Sequence, residues 1–180
     1  MAAAAAAAPP DTLADLAYQG NVAVLTARLA QPGANPDDEQ QFFSGAAPLF
    51  CAARYGHIGC VDVLLKSGAA VGLPHPECGT ALHGAACSGH AEIVRLLLLN
   101  QAPPNALDMN GDTALTLAAF SGHVAVVRAL IDGDAETALR HPEYGTAAEI
   151  AAEEGHVEVL ALLERCSAGA RACGRATAQR

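Results

Sequence analysis

Tryptophan is absent from this chain, and its 180 residues include only three tyrosines and four phenylalanines. The chain's 52% apolar content, most of it aliphatic, is nevertheless enough to bury a continuous core. No stretch approaches the roughly 18 apolar residues a membrane helix needs; the leucine run Leu96–Leu99 is one helical turn, and no membrane span is expected. The six cysteines never form a C-x-x-C pair, so neither a dithiol motif nor a zinc spacing is present. Positive charge is scarce: ten Lys and Arg face nineteen Asp and Glu, for a net charge of −9. All the acids precede Cys166, while Arg171, Arg175 and Arg180 follow it with none. An acidic body argues against a nucleic-acid partner, whose phosphates are met by Lys and Arg. Met1–Ala8 carries no basic residue, so it does not read as a targeting segment, and a cytoplasmic or nuclear location is expected. G-x-S-x-G, G-x-x-x-x-G-K-[ST], H-E-x-x-H and a strand-borne G-x-G-x-x-G are all missing, so no catalytic or cofactor-binding constellation is expected.

What the chain does have is a period. Gly56-His57, Gly89-His90, Gly122-His123 and Gly155-His156 fall 33 residues apart. Ala47-Pro48-Leu49, Thr80-Ala81-Leu82, Thr113-Ala114-Leu115 and Thr146-Ala147-Ala148 keep the same register, as do Ala52-Ala53, Ala85-Ala86, Ala118-Ala119 and Ala151-Ala152. A fixed period marks a stack of one small unit, in which each copy touches only its neighbours.

The segment Thr80-Ala81-Leu82-His83-Gly84-Ala85-Ala86-Cys87-Ser88-Gly89-His90, continuing through Ile93-Val94-Arg95-Leu96-Leu97-Leu98, resembles the ankyrin repeat in length and signature. The resemblance implies an all-α solenoid of stacked helix-turn-helix units with hairpin-like connecting loops. The repeat domain is expected at 11–165: a degenerate capping repeat over 11–46, then repeats at 47–79, 80–112, 113–145 and 146–165. Met1–Pro10 is expected to be disordered or loosely attached. The Arg-bearing tail, 166–180, either folds back on the acidic last repeat or is a solvated end, the second being the usual behaviour of such tails.

Within one unit, the hydroxyl of Thr113 is placed to cap a first helix over Ala114–Ser121, and Gly122 to end it in the left-handed conformation. A second helix over His123–Ile131 then presents Val124, Val126, Val127, Leu130 and Ile131 on one broad face. Thr146 with Glu149 reads as a capping box, and Pro48 suits a first helical position. The register places Cys51 and Cys60 in core columns and Cys78, Cys87, Cys166 and Cys173 outside them, all read as free thiols. Turn-rich connections run over Gly68–Gly79, Gln101–Asp112 and Asp134–Gly145, with His75-Pro76-Glu77 recurring as His141-Pro142-Glu143.

The resemblance also implies where a partner protein docks: the concave face, made of the hairpin tips and the two residues before each Gly-His pair. In this chain the second group is Tyr18, Gln19, Arg54, Tyr55, Cys87, Ser88, Phe120, Ser121, Glu153 and Glu154. The tips contribute Phe42, Phe43, Glu77, Met109, Asn110, Asp112, Glu143 and Tyr144. Six of the seven aromatics fall in these columns, and aromatic anchors suit a binding surface. Phe42 and Phe43 serve equally well as cover for the gap left by an inserted connection.

The four Gly-His histidines stand a helix spacing apart, roughly 8–10 Å, and cannot converge on one metal ion. They and His83 are read as structural; His75 and His141 are the histidines with a freer choice. Asn105 occupies the hairpin position that asparaginyl hydroxylases modify in ankyrin families. The expected function is therefore a monomeric, non-catalytic protein-interaction module, needing no cofactor or metal, whose partner presents a basic or mixed surface with an apolar anchor. The alternative is a substrate-targeting adaptor of a larger enzyme such as a ubiquitin ligase or kinase complex.

Overall fold

A computed structural model describes residues 12–37 and 47–166. Phe42, Phe43, Cys173, the leading alanines and the Arg-bearing tail lie outside these residues. The first helices of successive units are α1 (Leu13–Gln19), α3 (Pro48–Arg54), α5 (Ala81–Cys87), α7 (Ala114–Phe120) and α9 (Ala147–Glu153). The second helices are α2 (Val22–Leu29), α4 (Ile58–Lys66), α6 (Ala91–Leu99) and α8 (Val124–Asp132), with α10 over 157–166. Each first helix packs on the next first helix, and α2, α4, α6 and α8 form a parallel row behind them. A single antiparallel ribbon among the described residues joins β1 (Arg140–His141) to β2 (Gly145–Thr146).

Alanine lets the first row close up. Ala52, Ala53, Ala85, Ala86, Ala118, Ala119 and Ala151 are all buried between neighbouring helices. The second row supplies the larger side chains, with Leu64, Leu97, Leu130 and Leu163 repeating at one depth in a single continuous core. Burying a leucine stabilises by about 1.5–3 kcal/mol, so this column carries much of the stack's stability. Cys51 and Cys60 are buried in the same core, and all described cysteines are free thiols. Cys166 ends α10 and packs partly against the core rather than lying in a tail.

The Gly-His pairs are latches between units. Gly20, Gly56, Gly89 and Gly122 have positive φ at the ends of first helices, and the histidine ring of the next unit lies over each; Gly155, in the last unit, has no ring over it. A methyl group built on Gly56 would meet the His90 ring at 2.7 Å, and one on Gly122 would meet His156 at 2.6 Å. Each ring then donates from Nε2 to a first-helix carbonyl of the preceding unit: His57 to Tyr18 (2.8 Å), His90 to Arg54 (3.2 Å), His123 to Cys87 (3.1 Å) and His156 to Phe120 (2.9 Å). The histidines therefore hold a neighbour's turn, not their own. The first unit has Asn21 in place of the histidine, and Asn21 caps its own helix at Val24 instead.

Capping is more varied than the Thr-x-x-Glu pattern. Thr146 with Glu149 forms the expected box, and so do Thr12 with Asp15 and Thr113 with Thr116. At Thr80 the imidazole of His83 takes the same place, its Nδ1 accepting the Thr80 N–H at 3.1 Å. Ala47 and Phe50 can form no box. There Phe50 is buried and stacks on His75, ring centroids 4.7 Å apart. Gly84 makes room for it: a methyl there would lie 3.2 Å from the Phe50 ring.

Candidate protein-interaction surface

The first-helix ends set out one column of exposed side chains per unit. Because the carbonyls of Tyr18, Arg54, Cys87 and Phe120 are fixed by the histidine latches, the side chains beside them project from a rigid frame. Tyr18 and Tyr55 meet edge to face with centroids 4.5 Å apart, yet both remain more than 40% exposed. Phe120 is 58% exposed. Between these aromatic positions the column dips, because Cys87 and Ser88 are small; Cys87 and Arg54 are half-buried. At the far end Glu153 and Glu154 are exposed, and Ser121 is half-buried.

The tips are three versions of one turn. His75 Nδ1 accepts the N–H groups of Glu77 and Cys78, both at 3.1 Å. His141 Nδ1 does the same for Glu143 (3.1 Å) and Tyr144 (3.2 Å). Asp108 stands in the same register and uses Oδ1 to accept from Asn110 (2.8 Å) and Asp112 (2.9 Å). His75 and His141 are consequently buried turn-holders, not the freer histidines that their place at the tips suggests. His141 also donates from Nε2 to the Asn110 carbonyl at 3.0 Å, tying two tips together. The signal was present in the recurring His-Pro-Glu; what hid it is that a carboxylate replaces imidazole in the middle copy.

This geometry leaves Glu77, Met109, Asn110, Glu143 and Tyr144 exposed, with one face of the Tyr144 ring stacked on His141 at 4.7 Å. Leu107, which the repeat pattern does not single out, is exposed beside Met109. Asp112 is half-buried and accepts from the Thr116 hydroxyl at 2.9 Å, so much of its carboxylate serves the tip itself. Asn105 is half-buried and bridges units: its Oδ1 accepts the Glu136 N–H at 2.9 Å, and Nδ2 faces the Glu136 carboxylate at 3.3 Å. Glu149 accepts from the Thr146 N–H at 2.7 Å and pairs with Arg140 at 3.1 Å; these two, in that order, hold its carboxyl below the usual range.

A groove of about 590 Å³ lies elsewhere, between α8 and α10, lined by Val124, Arg128, Glu158, Ala161, Leu162, Glu164 and Arg165. It opens among second helices and shares no residue with the first-helix ends or the tips. No three His, Cys, Asp or Glu side chains among the described residues are grouped to hold a metal ion.

Stacked helix pairs, latched unit to unit, define a repeat solenoid. The chain belongs to the ankyrin-repeat family: the family described as ankyrin repeats (3 copies) matches residues 13–108 and again 82–172. A search of curated proteins returned no match to the sequence. Ankyrin-repeat proteins are in general protein–protein interaction modules and typically not catalysts. No helix among the described residues is long and apolar enough to cross a membrane.

Proposed function

We propose that the chain is a non-catalytic binding module that receives a partner protein on its concave face, across the first-helix ends and the hairpin tips. The observation that carries this is the distribution of rings. Tyr18, Tyr55, Phe120 and Tyr144 are exposed on these two sets of positions, whereas Phe50 is buried in the core. Aromatic side chains left in water at a rigid, repeating surface are the usual anchors of a protein interface. The acids around them, with Arg54 as the cation in the first-helix columns, select a basic or mixed partner surface with an apolar group to meet the rings. The module acts as a monomer in the reducing cytoplasm or nucleus, where core thiols such as Cys51 and Cys60 stay unpaired.

Affinity purification with the native chain and with Tyr55→Ala and Phe120→Ala variants tests this reading. Both variants should lose the captured partner while keeping helical circular dichroism. Unfolding of both would instead make these rings packing elements and end the proposal. Ligase or kinase subunits among the captured proteins would mark the module as a targeting adaptor. Hydroxylation at Asn105 belongs to the same reading. It requires the side chain to leave Glu136, and a one-oxygen mass shift on its peptide would show it.

A further inference from the structure

The described tips form a continuous row. A methyl built on Gly79 would lie 2.9 Å from Asp108 Cβ, and one on Gly111 would lie 3.0 Å from Pro142 Cδ. The turns at 75–79, 108–112 and 140–146 therefore touch edge to edge, one per unit, at the roughly 8–10 Å spacing of stacked helices. Each offers exposed apolar surface beside an acid, Pro76 with Glu77, Met109 with the half-buried Asp108, and Pro142 and Tyr144 with Glu143, the Asp108 carboxylate also holding its own turn. The carboxylates of Glu77 and Glu143 take no part in the bonds that hold their turns. Arg140, the cation of these turns, is already paired with Glu149. Arg54 stands at the C-terminal end of the first helix α3, and Arg28, Lys66, Arg95 and Arg128 sit on second helices. The uncommitted charge of the row is thus that of Glu77 and Glu143, two units apart, interleaved with apolar contacts.

We propose that this row seats an extended basic segment of the partner, in a polyproline-II backbone with Arg or Lys at every third residue. The inference rests on the concave-face reading and gives that partner a chemical pattern. Polyproline II has three residues per turn and rises about 3.1 Å per residue, so every third side chain returns to the same face after about 9 Å. That interval matches one tip to the next. A β-strand covers the same distance in three residues but turns the third side chain to the opposite face. An α-helix returns to one face at this distance only every seventh residue, about 10.5 Å along its axis. Two of the three edges of such a helix can face the row: the Arg edge meets the acids, and one intervening residue per turn lies over Pro76, Met109, Pro142 and Tyr144, an apolar and aromatic floor of the kind that receives polyproline segments.

Fluorescence anisotropy with labelled synthetic peptides and the full chain tests the proposal. The probe is a repeat of Arg-Pro-Pro; the controls have the same composition with contiguous arginines, or are helical with arginines seven residues apart. The Arg-Pro-Pro peptide should bind at least about fivefold tighter than either control. Glu77→Gln with Glu143→Gln should weaken it by about fivefold or more, since two exposed ion pairs with the peptide are lost. Circular dichroism of the double variant should be unchanged, since its two side chains hold nothing in the fold. Equal binding of the peptides, tighter binding of the helical control, or indifference to the double substitution would overturn it. If the peptides fail to discriminate while Tyr55→Ala and Phe120→Ala still lose the captured partner, only this inference falls.

Discussion

At Thr80 the N-terminus of α5 is closed by an imidazole, and the consequences of that choice are local and measurable. His83 Nδ1 accepts from the Thr80 backbone, and Nε2 donates to the carbonyls of Ala106 and Asp112 at 3.1 and 3.2 Å. Burial pushes its pKa below the ordinary 6.5, against smaller raising effects from the Asp112 and Ala106 carbonyls and from the Asp108 and Asp112 charges. As pH falls below about 6.5, the unfolded chain takes up a proton that folded His83 resists. Its contribution is thus fully present above that value and is lost on acidification toward the folded pKa. Urea unfolding at a series of pH values should show stability declining below about pH 6.5, with a shallower decline in His83→Gln. The cysteines give a second residue-scale test. The Cys51 thiol is pushed up to about 11, by burial first and by the Asp15 carboxylate second, and burial also raises Cys60. Iodoacetamide near neutral pH should label the half-buried Cys78 and Cys87 first, and reach Cys51 and Cys60 only on unfolding, as peptide mapping will read.

Between units, the same residue types serve as couplers, and this is where the sequence was least transparent. The period placed Gly89 and His123 in their columns, but not the ring of one lying over the backbone of the other. Gly89→Ala must adopt φ +83 and bring a methyl to 2.9 Å from the His123 ring. The left-handed conformation alone costs about 1–2 kcal/mol, so a loss of about 2 kcal/mol or more is expected in chemical denaturation. His123→Ala should cost about 1–2 kcal/mol through the unsatisfied Cys87 carbonyl, and the two losses should be less than additive. Gly84→Leu should be severe as well, because Phe50 and Arg54 already occupy the space; overpacking of this kind costs about 1–3 kcal/mol. Helix order, the alanine row and the leucine column follow from spacing alone. The turn function of His75 and His141 does not, since it depends on ring nitrogens meeting backbone N–H groups, and Asp108 performs it with different chemistry.

At the scale of the whole molecule, the proposed binding face depends on the units sharing one register. Tyr18, Tyr55 and Phe120 sit in different units, and the tips touch only through neighbours. The ankyrin resemblance, carried onto the repeat columns, singled out these positions, and the described structure leaves their rings in water; in the proposed reading, the way the columns line up sets the chemistry of the partner. The most direct test is distance along the column. Nitroxide labels carried on non-natural residues at Gln19, Ser88 and Glu154 mark the first, third and fifth units in pairs. One in-register stack predicts narrow electron–electron distances of about 20 Å for each adjacent pair, and a little under about 40 Å for the outer pair. Broad distributions, or an outer distance unrelated to the two inner ones, would show the units to be separate lobes and would contradict the shared face.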